Sequence, residues 1–251
     1  MVTKIKKIGD YFLKLKLDNK HEIQYFKNKY HIDEMLASLF IKNNFKVLDL
    51  GANIGFCALN YIKYGASKVD AYEPQKEMFE RLNLIEAIEI NKFKIAVSDE
   101  NSEKTLYVSK THNQGHTLDI EQVDLFPKIF SDQLFIEKVQ TKRLDDIYTK
   151  SEVFDYIKMD IEGHELNALI GARDLLERCS TVILQIEIYD KYLFETLKEL
   201  KKTFNYIYRV CFSKDKGKLY LLKNFEAEPL EGFHKTFNYI CSRWSLGRFT
   251  V

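Results

Sequence analysis

The chain has 251 residues, within the range of one α/β domain with additions, and 45% of them are hydrophobic, enough for a sizeable core. Its formal net charge is +1, which argues against a general nucleic-acid or membrane-surface binder. No apolar run approaches the roughly 18 residues of a membrane span, so no membrane insertion is expected. The first residues lack the apolar segment of a secretory signal, and four widely spaced cysteines form no C-x-x-C pair, so the expectation is a cytoplasmic protein with free thiols.

Taken in order, residues 11–17 alternate apolar and polar side chains, 18–20 are turn-rich and 22–26 are again strand-like, which predicts a hairpin before the main sheet. Residues 31–41 predict a helix with Ile32, Met35, Leu36, Leu39 and Phe40 on one face, placed to cover a ligand edge; His31 reads as a helix-start or surface residue. Val47, Leu48 and Leu50 then read as a short buried strand, followed by the turn Gly51-Ala52-Asn53-Ile54-Gly55 and a helix over 56–64. Strand, glycine turn and helix bring backbone N–H groups to the C-terminal edge of a sheet, where open α/β sheets bind ligands. Asp49 puts a carboxylate inside this apolar strand, where a structural residue is rarely charged.

The spacing narrows the ligand. A dinucleotide fingerprint has glycine where this turn has Asn53, and the asparagine side chain fills the space of a pyrophosphate. That counts against the alternative of a nicotinamide-dependent oxidoreductase. Glu73, at the end of the next apolar run, is placed to accept both ribose hydroxyls. An acidic first turn, a ribose carboxylate and no pyrophosphate cradle suit a cationic, phosphate-free nucleoside, and S-adenosylmethionine fits. A third strand over 93–97 sends Ala96 and its successors past the adenine. The expected cofactor contacts are therefore Asp49, Gly51, Asn53, Gly55, Glu73 and Ala96.

Further on, residues 76–90 predict a helix, and 104–110 and 135–141 predict strands with a polar, glycine-containing loop over 111–118 between them. A crossover this long carries extra structure and shapes a substrate site. Asn113 and His116, which flank Gly115, are the substrate-binding candidates; a solvated connector is the plainer reading of the same loop. A buried strand over 154–160 ends in Asp160, with Glu162, His164 and Glu165 just beyond and a helix over 166–178. Asp160 or Glu162 can be a helix cap. Glu187, inside the apolar strand 181–188, is harder to explain structurally, because burying an unpaired carboxylate costs several kcal/mol. A charged helix over 192–201, a hairpin of 206–212 with 218–222, and an aromatic tail over 225–251 complete the chain. The expected organisation is a single domain with an N-terminal hairpin and helix (1–45), a core (46–222) and a tail (223–251) docked on the domain or on a second subunit.

With these residues in view, the chain resembles the FkbM family of S-adenosylmethionine-dependent methyltransferases from about Val47 to Leu222. Residues 47–55 resemble the family's first motif, Tyr72-Glu73-Pro74 its second, and Arg143-Leu144-Asp145-Asp146 the segment before its fourth strand. Residues 157–165 with Leu169-Ile170-Gly171-Ala172 resemble its most specific motif, and Ile186-Glu187 its fifth-strand glutamate. His164 departs from the family's usual small residue. The resemblance implies a class I methyltransferase (Rossmann-like) α/β fold: a seven-stranded sheet in the order 3-2-1-4-5-7-6, strand 7 antiparallel, helices on both faces. It also implies O-methylation, commonly of a sugar hydroxyl, so the expected acceptor is a nucleotide-linked sugar or glycan precursor in bacterial surface polysaccharide synthesis. A small natural product is the alternative, and a homodimer is compatible with the tail.

Methyl transfer to an alcohol requires alignment of the acceptor oxygen and removal of its proton. Asp160, His164 and Glu187 are the catalytic candidates, with His164 preferred as base for its ordinary titration range. A divalent cation held by Asp160, Glu187 and Glu162 would serve the same end. The metal-free route is preferred, since no close Asp-Asp or Asp-Asn pair stands at the fifth-strand end.

Overall fold

A computed structural model describes residues 3–16, 19–109, 112–130, 134–223 and 227–247. Strands β1 (Thr3–Ile8) and β2 (Tyr11–Lys16) form an antiparallel hairpin around Gly9, followed by α1 (Lys20–Lys27) and α2 (Ile32–Phe40). Residues 11–17 were expected as the first strand of the hairpin; Tyr11–Lys16 is instead its second strand, and the segment expected as the second strand is α1. The local reason is a cap: the Asn19 side chain accepts the Glu22 amide at 3.3 Å while its carbonyl accepts the Ile23 amide. Leu17 and Asp18, part of that expected strand and turn, lie outside the described residues.

The central elements are β3 (Lys46–Leu50), α3 (Phe56–Lys63), β4 (Lys68–Tyr72), α4 (Lys76–Leu82) and β5 (Ile90–Phe93). A crossover follows with β6 (Ala96–Val97), β7 (Ser102–Ser109), α5 (Ile120–Leu125), α6 (Pro127–Phe130), β8 (Leu134–Lys142) and α7 (Leu144–Ile147). The chain returns as β9 (Tyr156–Met159), α8 (Glu165–Ile170), α9 (Arg173–Arg178), β10 (Ile183–Glu187), α10 (Leu193–Leu200), β11 (Tyr206–Ser213), β12 (Lys218–Leu222) and β13 (His234–Ser242). The third sheet strand thus ends at Phe93, and Ala96 begins a separate three-stranded sheet, β6-β8-β7, inside the crossover. The expected helix over 166–178 is broken at Gly171, where a side chain would overlap the Ser98 carbonyl.

The main sheet runs β12-β11-β13-β10-β9-β3-β4-β5. β3, β4, β5, β9 and β10 are parallel, and β13 is antiparallel to both its neighbours. This is the implied order with β13 as the antiparallel seventh strand and β12 as an eighth at the edge. The core therefore does not end at residue 222. Residues 234–242, expected within a docked tail, form an inner strand whose Tyr239, Ile240 and Cys241 are fully buried. Phe225 and residues 248–251 of that tail lie outside the described residues. One core packs α2 and α3 on the sheet, through Leu36, Phe40 and Leu59; the other packs α8, α9 and α10, through Leu169, Leu175 and Leu200.

Candidate active site

Strand alternation builds the site. Leu48, Ile157, Leu184 and Ile186 enter the core under α8 and α9. Their strand neighbours Asp49, Lys158, Gln185 and Glu187 consequently face α2 and α3, because successive side chains point to opposite faces. A row of polar groups thus crosses the C-terminal half of three adjacent strands. Gln185 fixes α2 on this row: its amide donates to Asp33 at 2.7 Å and to Asn238 at 3.0 Å and accepts the Tyr156 hydroxyl.

The turn after β3 closes over these strand ends. Gly51 has φ 83°, and a side chain there would overlap the Asp160 carbonyl, so only glycine lets the turn lie this close to the end of β9. Asn53, left-handed at φ 49°, donates its amide to Glu73 at 2.9 Å and its side chain to the Asn113 carbonyl at 2.6 Å. One residue therefore ties together the first turn, the acid that ends β4 and the crossover loop. Glu73 also accepts the Gln75 amide at 2.9 Å, and burial pushes its carboxyl up to about 7 against these two amides.

Two cavities meet above the turn. A small one of about 60 Å³ is bounded by Glu73, Pro74, Ala96, Val97, His116 and His164. A larger one of about 480 Å³ is bounded by Tyr30, Asp33, Asn113, Lys158, Glu187 and Tyr189. Both share Gly51, Asn53, Gln114, Asp160 and Glu162. Asp160 and Glu162 are thus the titratable groups at the junction.

These two acids are held differently. Burial raises the Asp160 carboxyl, but the Lys158 ammonium at 2.8 Å and a hydrogen bond from Glu187 outweigh it and hold it below its usual range. Burial and the Asp160 charge push Glu187 well above the ordinary range, so the pair shares one proton with Lys158 beside it. Glu162 sits at φ 56°, a backbone conformation unusual for glutamate, with its carbonyl accepting Thr117 Oγ1 at 2.6 Å and its carboxylate accepting the Tyr189 hydroxyl at 2.7 Å. Burial, then Asp160, pushes its carboxyl up to about 8. Such backbone outliers persist where surrounding contacts enforce them, and they cluster at functional sites.

The structure separates residues that the sequence grouped. Asp160 stands at the junction, Glu187 in the large cavity and His164 in the small one. His164 stands just before α8, and its Nε2 lies 2.9 Å from Ser98 Oγ; burial, then Lys104, lowers it to about 4. Asn113 and His116 are likewise divided. Asn113 lines the large cavity and donates to Glu22 at 2.9 Å, whereas His116 lines only the small one, its ring nitrogens buried with no hydrogen-bond partner among the described residues. Asp49 is fully buried beneath the turn and borders neither cavity; burial pushes it up to about 6, opposed by Lys158. Gly55 stands just before α3 in a left-handed conformation, where a side chain would overlap Ile85. In the sequence Glu162 reads as a helix cap, a metal ligand or one of the clustered acids after Asp160, and Asp33, Lys158 and Tyr189 do not stand out. A charge at Lys158 inside Tyr156-Ile157-Lys158-Met159 was the available signal.

Among the described residues no group of three or more His, Cys, Asp or Glu is arranged to hold a metal ion, and no helix is long and apolar enough to cross a membrane. All four cysteines are buried and free.

The sheet order, the glycine turn and the strand-end acids define a class I S-adenosylmethionine-dependent methyltransferase. The model of the methyltransferase FkbM domain matches residues 49–214, and the chain belongs to that family. Among solved structures, the chain is similar to a methyltransferase FkbM from Methylobacillus flagellatus at 19% identity and a TM-score of 0.49 over 80% of this chain; it spans only 44% of that protein. It is also similar to a TehB-like methyltransferase from Corynebacterium glutamicum (14% identity, 88% and 90% of the two chains, TM-score 0.43). An rRNA methylase from Streptococcus thermophilus aligns at 10% identity over 84% and 93% of the chains with a TM-score of 0.41. No curated protein matches the chain by sequence.

Proposed function

We propose that this enzyme methylates a hydroxyl group of a carbohydrate bound in the large cavity, with the cofactor's nucleoside on the Glu73 side. The observation that carries the reading is the meeting of two cavities at Asp160 and Glu162. A transferred group must cross between cofactor and acceptor, and the acids at the crossing are where a hydroxyl proton is released. The large cavity falls within the range of small-molecule sites, roughly 300–1,000 Å³. Its wall carries the amides, hydroxyls and carboxylates of Asn28, Tyr30, Asp33, Asn113, Tyr189 and Asn238, which suit a polyhydroxylated ligand.

S-adenosylmethionine, when bound, supplies an electrophilic methyl group. Glu73 would accept the ribose hydroxyls, Asn53 and Gly51 would border the cofactor at the turn, and Ala96 and His116 would flank the base. The orphaned ring nitrogens of His116 fit that placement, since a buried imidazole without partners loses free energy that a ligand restores. The small cavity, lined in part by Gln114, His116 and Leu118, is smaller than a nucleoside, so binding would require its wall to widen. The fully buried Asp49 contributes negative charge from behind the turn.

The chemistry asked of the protein is alignment and proton removal. As the acceptor oxygen gains the methyl group, its proton passes to Glu162, whose proton affinity near neutrality suits a general base. Tyr189 orients that carboxylate by its hydrogen bond. Asp160, kept ionised by Lys158, and Glu187 position the acceptor hydroxyl. His164, neutral and bonded to Ser98, shapes the nucleoside side instead of serving as base.

The test is transfer of labelled methyl from S-adenosylmethionine to a panel of carbohydrates, followed by locating the label on the product. Label on a ring or side-chain hydroxyl supports the reading. Label only on nitrogen, sulfur or carbon of other acceptors removes it.

A further inference from the structure

The electrostatics of the large cavity narrow the acceptor further, resting on the assignment of that cavity to the carbohydrate. Its described wall carries five acidic side chains, Glu22, Asp33, Asp160, Glu162 and Glu187, and two histidines, His31 and His112, against a single lysine, Lys158, and no arginine. Glu162 and Glu187 hold protons near neutrality and Asp160 is paired, so Asp33 is the acid that faces the cavity without a cation. The lysine is already committed: it is 3% exposed and paired with Asp160 at 2.8 Å. Arg81 answers Glu22 at 2.7 Å but does not itself border the cavity. Lys6 lies over the Phe56 ring at 5.0 Å and within 3.4 Å of His31 Nε2, and it too does not border the cavity.

Phosphate recognition uses the opposite arrangement: arginine forks, free lysines or a glycine-rich turn of open amides. Here the turn amide of Asn53 is spent on Glu73, and that of Ile54 on the Asn53 side chain at 2.8 Å. The carboxylates, in contrast, are built into place. Asp33 is held facing the cavity by Gln185, itself fixed by Tyr156 and Asn238. A diphosphate entering this wall would lose its hydration, find no uncommitted cation lining it and meet the Asp33 carboxylate, whereas hydroxyls and ammonium groups would find acceptors.

We propose that the acceptor is a phosphate-free sugar, neutral or amine-bearing, and that the enzyme discriminates against nucleotide-linked sugars. The reaction then acts on a free glycoside or an assembled glycan.

The experiment uses the full chain with saturating S-adenosylmethionine and three matched forms of each of several hexoses and deoxyhexoses: methyl glycoside, 2-amino sugar and nucleoside-diphosphate sugar. Labelled methyl transfer is read as kcat/KM. At least one methyl glycoside or amino sugar is expected to exceed its nucleotide-linked form by a hundredfold or more. In Asp33→Asn, which retains an oxygen to accept from Gln185, that ratio is expected to fall about tenfold. A nucleotide-linked sugar used as well as its phosphate-free form, or a ratio unmoved by Asp33→Asn, overturns the inference while leaving the carbohydrate reading intact. No transfer to any carbohydrate in any form overturns that reading as well.

Discussion

The Asn53 amide donates to the Glu73 carboxylate at 2.9 Å, so the turn after β3 and the acid ending β4 form one unit. Glu73 is then both a structural acceptor and the group offered to the ribose. Replacing it with alanine is expected to weaken S-adenosylhomocysteine binding by at least one to two orders of magnitude, since hydrogen bonds to a charged acceptor contribute about 1.5–3 kcal/mol each and up to two are lost. Because burial lifts this carboxyl to about 7, affinity in the wild type should rise as pH passes upward through that value, as the carboxylate ionises. Titration calorimetry from pH 6 to 8 checks both; a variant that keeps wild-type affinity and pH dependence removes Glu73 from the site.

Lys158 is the buried cation on which the acid cluster depends. Lys158→Met should destabilise the fold by about 3–5 kcal/mol, the usual cost of stranding a buried charge. Adding Asp160→Asn should return part of that loss, because the stranded carboxylate is then neutral. Denaturant unfolding of the two variants measures the coupling, and additive losses would mean that the pair does not interact.

His164 gives the stability a pH signature. Its folded value, about 4, lies below the ordinary 6.5, so between these pH values the unfolded chain holds a proton that the folded chain does not. Stability from this group is therefore complete above pH 6.5 and is lost as pH falls toward 4. His164→Gln should flatten that part of the stability profile by on the order of 1–3 kcal/mol. An unchanged slope between pH 6.5 and 4 would show a solvent-exposed histidine.

His116 is expected to set stability and binding against each other. Its ring nitrogens are buried without partners among the described residues. His116→Phe should hold or raise the melting temperature of the ligand-free protein and weaken S-adenosylhomocysteine at least fivefold, with acceptor KM unaffected. A change in acceptor KM alone would return the residue to the acceptor side.

Which of these features could be read in the sequence follows from how local their causes are. Asp49, Gly51 and Glu73 announce themselves because each interrupts or ends an apolar run, whereas the sheet order is legible only through the family that the motif series resembles. β13 is hidden because Asn238 and Lys235 break the apolar run of residues 234–242, whose inner-strand place depends on β10 and β11 lying on either side. The helix at 20–27 turns on one asparagine cap, while its residues alternate as a strand would. The separation of His116 from Asn113 is not local at all. Three residues apart, they fall in different cavities because Asn53 pins the loop between them by the Asn113 carbonyl. The part played by Glu162 is legible only once two cavities are seen to share it.

The most direct test of the account is the kinetics of Glu162→Gln, which keeps an oxygen to accept the Tyr189 hydroxyl but cannot take a proton. In the wild type, activity should rise with pH up to about 8 as Glu162 ionises. The variant should lose that limb of the profile and lower kcat by roughly 10²–10⁴-fold, the range of general-base catalysis, while S-adenosylhomocysteine affinity stays within about threefold. A loss below tenfold with the pH limb retained would contradict the assignment and move the proton to Asp160 or Glu187.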